Sequence, residues 1–150
     1  MKLSDELDKI ETIFIDTAPI IYYIEAHHQF GSLVNEVVKS FLSGKLIAFT
    51  SVITLAEVLS KPIGLGKIRL AEKFTDFLRH GNNINLLEIT ADIAEKAGIL
   101  RGYYRSLKLM DAIQIATALE IKADLFLTND ARLSQVSEIK VLVLKDYLYD

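Results

Sequence analysis

The sequence predicts an α/β fold, with helices covering both faces of a parallel sheet. Three observations carry the prediction. Short β-rich apolar runs alternate with helical patterns along the chain. The strands read as continuous apolar stretches, as strands buried on both faces do. No composition break, internal repeat, low-complexity tract or long linker divides the 150 residues, so one domain spanning residues 1–150 is expected.

The elements follow in order. Leu3, Leu7 and Ile10 are spaced for a short helix ahead of the first strand, Ile13 to Ile15. Asp16-Thr17 then leads into a helix with Pro19 just inside its start, where proline is tolerated. Leu33, Val34, Val37, Val38, Phe41 and Leu42 mark a second amphipathic helix, with Gly44 as its stop, before the strand Leu46 to Phe49. A helix from about Ser51 carries Glu57 and is expected to end before Pro62, leaving residues 61–67 as a loop. Ile68, Ala71, Phe74, Phe77 and Leu78 define the next helix, followed by the strand Asn85 to Leu87 and a helix from Thr90 to about Tyr104. Asp111 opens a helix running to about Lys122, ahead of the strands Leu125 to Leu127 and Val141 to Leu144.

Composition narrows the function. With 51% hydrophobic and 25% charged residues the chain supports a sizeable core. It contains no cysteine, which excludes disulfides, thiolate zinc sites and cysteine nucleophiles, and three scattered histidines do not suggest a His-rich zinc site. Every apolar run is broken by a charge before reaching membrane-helix length, and the acidic N-terminus does not read as a signal peptide, so no membrane association and a cytoplasmic location are expected. The net charge of −3 argues against a surface coated for sequence-independent DNA binding. It is compatible with a nuclease whose acidic cleft takes up cations.

Four acids interrupt the most apolar stretches: Asp16, Glu57, Asp111 and Asp130. A carboxylate in such a setting needs hydrogen bonds, a cation or a proton to offset its lost hydration. Taken singly, Asp16 and Asp130 are explained as caps or turns at strand-to-helix corners. Asp111 with Gln114 resembles a capping box. Glu57 lies on a helix that is apolar almost all round, so a buried or half-buried pairing is expected there. One metal site explains all four at once: strand ends and helix starts above a parallel sheet converge on one crevice, and Mg²⁺ or Mn²⁺ favours oxygen ligands.

These residues resemble a known family, the PIN-domain ribonucleases, and in particular the VapC-like toxins of prokaryotic toxin–antitoxin pairs. The resemblance lies in Phe14-Ile-Asp-Thr, Thr54-Leu-Ala-Glu, Asp111-Ala-Ile-Gln-Ile-Ala-Thr-Ala-Leu and Leu127-Thr-Asn-Asp, in this order across essentially the whole chain. Ala18 stands where many relatives carry Asn or Ser, Gln114 where an apolar residue is common, and the initial helix is an addition. The resemblance implies a PIN-like three-layer fold with a five-stranded parallel sheet, divalent-metal-dependent hydrolysis of RNA, and inhibition by a cognate antitoxin protein. On it, Asp16, Glu57 and Asp111 are the expected metal ligands and catalytic acids, with Asp130 completing the site or holding a second ion; a homodimer is expected. The alternative is a non-catalytic PIN-like scaffold that binds RNA or protein.

Further candidates surround the acids. Thr128 could orient a water or phosphate, although an ordinary strand threonine explains it as well. Arg101, Arg105 and Lys108 recur at helix-like spacing before Asp111 as possible RNA phosphate contacts, with Lys61, Lys67 and Arg69 as a second set; a solvated helix face is the competing reading. Tyr22-Tyr23 and Tyr103-Tyr104 could stack on unpaired bases or fill the core. Phe74 and Phe77 could line an antitoxin groove or pack inward, and His27-His28 reads as a solvated helix end.

Overall fold

In a computed structural model, which describes residues 1–149, five parallel strands form one sheet: β1 (Thr12–Ile15), β2 (Ile47–Ser51), β3 (Ile84–Leu87), β4 (Leu125–Thr128) and β5 (Val141–Val143), in the order β3-β2-β1-β4-β5. Among the described residues seven α-helices accompany them: α1 (Leu3–Leu7), α2 (Thr17–Ile24), α3 (Gly31–Leu42), α4 (Val52–Gly64), α5 (Ile68–His80), α6 (Ala91–Tyr103) and α7 (Leu109–Glu120). The expected five-stranded parallel α/β architecture is present.

Period-two alternation distributes the strand residues between two cores. Ile13, Ile15, Ala48, Leu125, Leu127 and Leu142 point to the face covered by α1 to α5, where Leu7, Val34, Phe41, Val58 and Phe74 are buried. Phe14 and Phe126 point to the other face, under Ile93, Leu100 and Ile115 of α6 and α7. Because β1 and β4 pair with Phe14 opposite Phe126, their rings stack with centroids 5.3 Å apart. The result is three layers, and nearly every central strand residue is fully buried.

Strand order reverses around β1. The chain moves outward from β1 to β2 and β3, then returns to β1's other side for β4. This switch leaves a crevice at the carboxyl ends of β1 and β4, where open α/β sheets bind ligands.

Two helix boundaries differ from expectation. Helix α4 continues through Pro62 to Gly64. Proline there forfeits only one late hydrogen bond, and its buried ring packs inward. The stop is Gly66 at φ +71°, a left-handed turn suited to glycine, with Lys67 N–H donating to Pro62 O at 2.8 Å. Helix α7 begins at Leu109 after the extended residue Lys108, so Asp111 lies within its first turn and does not cap it. The Asp111–Gln114 capping box does not form, because Gln114 is on the buried face of α7.

Candidate active site

The sheet's carboxyl edge contains a buried polar network. Asp16, Thr50, Ser51, Thr54, Gln114 and Thr128 are each at most 9% exposed, and they come from the β1–α2 junction, β2, α4, α7 and β4. Among the described residues no buried side-chain nitrogen or oxygen lacks a partner, which is what such placement requires.

Asp16 is the centre. It caps α2, its Oδ1 accepting from Thr17 N–H at 2.9 Å, while Oδ2 accepts from the Thr128 hydroxyl at 2.8 Å. Its backbone N–H donates to Leu127 O at 2.9 Å, which ties it to β4. Gln114 Nε2 stands 3.5 Å from Oδ1, at the limit of hydrogen bonding. Capping and site formation are therefore one arrangement. Oδ2, with the Thr128 hydroxyl as its one donor, keeps an acceptor position free.

Gln114 organises the floor. Ser51 Oγ accepts from Ile53 N–H and donates to Gln114 Oε1, which turns Nε2 toward Thr54 Oγ1 at 2.7 Å. Thr50 donates to Ile15 O at 2.8 Å and contacts Thr54 at 2.9 Å; Thr17 contacts Thr54 at 3.1 Å and donates to Glu57 Oε1 at 2.7 Å. A hydroxyl has one proton, so that of Thr17 goes to Glu57, that of Thr50 is shared between Ile15 O and Thr54, and that of Thr54 goes to Thr17. This chain of contacts connects the buried amide to an acid at the rim.

The other acids surround Asp16 at graded depth. Asp111 is half-buried and Glu57 exposed, which corrects the expected burial of Glu57: Ala56 and Glu57 lie on the exposed side of α4. Burial pushes the Asp16 carboxyl up to about 6, against the bonds from Thr17 and Thr128, and the charges of Asp111 and Glu57 push the same way. Burial also raises Asp111, which further feels Asp130 and Glu57 as like charges and Arg132 and Lys108 as opposite ones. Asp130 is lowered, chiefly by hydrogen bonding from Arg132. The four acids thus share one electrostatic environment. Among the described residues no group of three or more His, Cys, Asp or Glu side chains is arranged so that it could hold a metal ion; the acids are related by their mutual charge and not by a formed cage.

Of the four acids, Asp130 is the one paired with a cation among the described residues. Its Oδ1 accepts from Arg132 N–H and Nε, each at 3.0 Å, and its Oδ2 from Nη2 at 2.6 Å. Thr128 is committed as well, donating to Asp16 and accepting from Asp130 N–H at 3.1 Å. Its hydroxyl orients an acid directly.

The flanking candidates separate. Helix α6 ends at Tyr103, so Arg101, Arg105 and Lys108 do not form one helical stripe. Arg101 Nε donates to Leu107 O, Arg105 is exposed in the connection, and Lys108 is the one of the three whose charge Asp111 and Asp130 feel. Lys61 and Lys67 line a groove beside Glu57 with Ile21, Leu65, Leu70 and Phe74; Arg69 is exposed on α5. Phe74 is 1% exposed in the core, and Phe77 packs on Tyr23 and Phe41. Tyr22 stacks on Phe30, Tyr104 bonds to Glu138, and Tyr103 alone of the four tyrosines is fully open, at 81%. His27 is structural: its Nδ1 accepts from Gln29 and Phe30 N–H at 3.1 Å, ahead of α3. His28 is exposed.

Thr17, Ser51, Thr54, Gln114 and Arg132 belong to this site but were not singled out as its members. Gln114 carried a usable signal, an amide in the apolar run Ile113-Gln-Ile-Ala; short hydroxyls at helix starts carried none.

A model of the PIN domain matches residues 13–139. Among solved structures, a toxin–antitoxin complex from Klebsiella pneumoniae contains a chain 23% identical, with TM-score 0.67 over 87% of this chain and 96% of that one. The Mycobacterium tuberculosis toxin VapC20, described as Sarcin-Ricin loop cleaving, is 19% identical with TM-score 0.68 over 85% and 98%. VapBC2 from Rickettsia felis, bound to a promoter DNA fragment, gives 18%, 0.66, and 88% and 98%. Among curated proteins nothing matches.

Proposed function

The chain belongs to the PIN-domain family, and from that premise we propose that it is a divalent-metal-dependent endoribonuclease, the toxin of a toxin–antitoxin pair. The observation that carries the reading is Asp16: buried, fixed by Thr17 and Thr128, and surrounded by the charges of Asp111 and Glu57 at the sheet's switch point. Like charges around a desolvated carboxylate are offset by a cation. The all-oxygen donor set suits Mg²⁺ or Mn²⁺. The likeness to chains from toxin–antitoxin complexes supports a cognate antitoxin protein as partner. RNA as substrate, a homodimer and a cytoplasmic location complete the proposal. Among the described residues no helix is long and apolar enough to cross a membrane.

Asp16, Glu57 and Asp111 would hold the ion. A divalent cation, when bound, supplies positive charge for the phosphate oxygens in the transition state and makes water more acidic. The chain's own contribution is positioning: Thr128 and Thr17 fix Asp16 from two sides, and the Thr17 hydroxyl holds Glu57 at the rim. Lys108 offsets part of the acidity that an RNA phosphate would meet.

RNA cleavage by the purified, partner-free chain tests this. Activity in Mg²⁺ should disappear with chelator and fall about a hundredfold or more in Asp16→Asn and Asp111→Asn; undiminished cleavage in either variant removes the mechanism. The Asp130–Arg132 pair favours a second reading, a non-catalytic scaffold, since one acid already has a protein cation. A scaffold would show no Mn²⁺ binding that depends on Asp16.

A further inference from the structure

We propose that Asp130 acts through Arg132, anchoring its guanidinium as a phosphate-binding group of the cleft instead of serving as a metal ligand. The inference rests on the nuclease reading above. It follows from how the acceptor positions are used: two donors fill Asp130 Oδ1 and a third occupies one side of Oδ2, leaving one position open. Asp16, by contrast, is held only by neutral donors, the Thr17 N–H, the Thr128 hydroxyl and, at the 3.5 Å limit, Gln114 Nε2, so its charge is not met by a protein cation.

Arg132 is well placed for the role. The two-point pairing fixes the plane of the guanidinium and spends two of its five N–H donors, leaving three for an anion. The side chain is 63% exposed, so those donors are open to a ligand from solvent. Its charge reaches Asp111, so it stands at the edge of the acid cluster, where Lys108 is also felt. Two cations felt by both Asp111 and Asp130 suit a backbone phosphate brought to these acids. Asp130 N–H is itself held by Thr128, the residue that fixes Asp16, so the phosphate contact and the buried acid are positioned from one strand end.

The test uses the full chain with Arg132→Ala, Arg132→Lys and Asp130→Asn, beside Asp16→Asn. Mn²⁺ is titrated without RNA, and cleavage of a single-stranded RNA is then measured in saturating Mg²⁺, with KM and kcat separated and KM followed against salt. Arg132→Ala should keep Mn²⁺ affinity within about threefold, raise KM about tenfold, and flatten the dependence of log KM on log salt by about 0.7, the share of one phosphate contact on a single strand. Arg132→Lys should recover part of KM, having the charge without the fork. Asp130→Asn should raise KM similarly while retaining the Mn²⁺ binding that Asp16→Asn loses. Loss of Mn²⁺ binding in Asp130→Asn, or an unchanged KM and salt slope in Arg132→Ala, overturns the proposal and leaves the nuclease standing. A wild-type chain that neither binds Mn²⁺ nor cuts RNA overturns both.

Discussion

At the scale of the residue, Asp16 sets the behaviour of the cleft. Its folded-state carboxyl is raised from 3.8 to about 6, so the native state holds a proton that the unfolded chain has released between those values. Stability of the metal-free protein therefore falls as pH rises through that window and levels off above it. The effect is at most about 3 kcal/mol. Asp16→Asn should flatten this slope and leave the metal-free chain more stable than wild type at pH 8, as read by urea denaturation; an unchanged slope would mean that Asp16 is not desolvated. The acids were legible in the sequence because charges in apolar runs are conspicuous. Their partners were not: Thr17 and Thr54 look like ordinary helix residues until folding sets them 3.1 Å apart.

At the scale of the element, α7 links the two sides of the sheet. It covers the core around Phe14 and Phe126, yet Gln114 reaches through to Ser51 and Thr54 on the β2–α4 segment. Gln114→Leu preserves approximate size but strands the Ser51 and Thr54 hydroxyls, and should cost about 1–3 kcal/mol in chemical denaturation. A smaller loss would mean that water replaces the amide. The α7 start was misread because Asp111 and Gln114 have capping-box spacing, whereas burial of the Gln114 face turned that side chain inward and Lys108 became the boundary. Pro62 misled for a related reason: local sequence marks where a helix weakens, and burial of the ring decides whether it stops. The strands were readable because burial on both faces leaves nearly uninterrupted apolar runs. At the other edge of the sheet, Leu3 and Leu7 dock α1 on the core, and Glu6 pairs with Lys140 at 2.6 Å just before β5. Leu7→Ala should destabilise the fold by about 2–5 kcal/mol while leaving Mn²⁺ affinity unchanged, since α1 contributes nothing to the cleft.

At the scale of the whole molecule, the sheet order brings together residues separated by more than a hundred positions. Asp16 and Thr128 lie 112 residues apart in sequence, and parallel pairing of β1 with β4 makes them neighbours. A cation that binds only the folded cleft must stabilise the entire fold, by about 2.7 kcal/mol at a hundredfold excess over its Kd. For a chain of this length that corresponds to a rise in Tm of about 5–10 °C. The most direct test of one shared metal site is Mn²⁺ titration by calorimetry at pH 7.5 on wild type, Asp16→Asn and Asp111→Asn, with Tm recorded in parallel. Saturable Mn²⁺ binding and the rise in Tm should appear in wild type and be lost in both variants. Binding that survives unchanged in either variant, or its absence from wild type, would contradict a single metal cleft centred on Asp16.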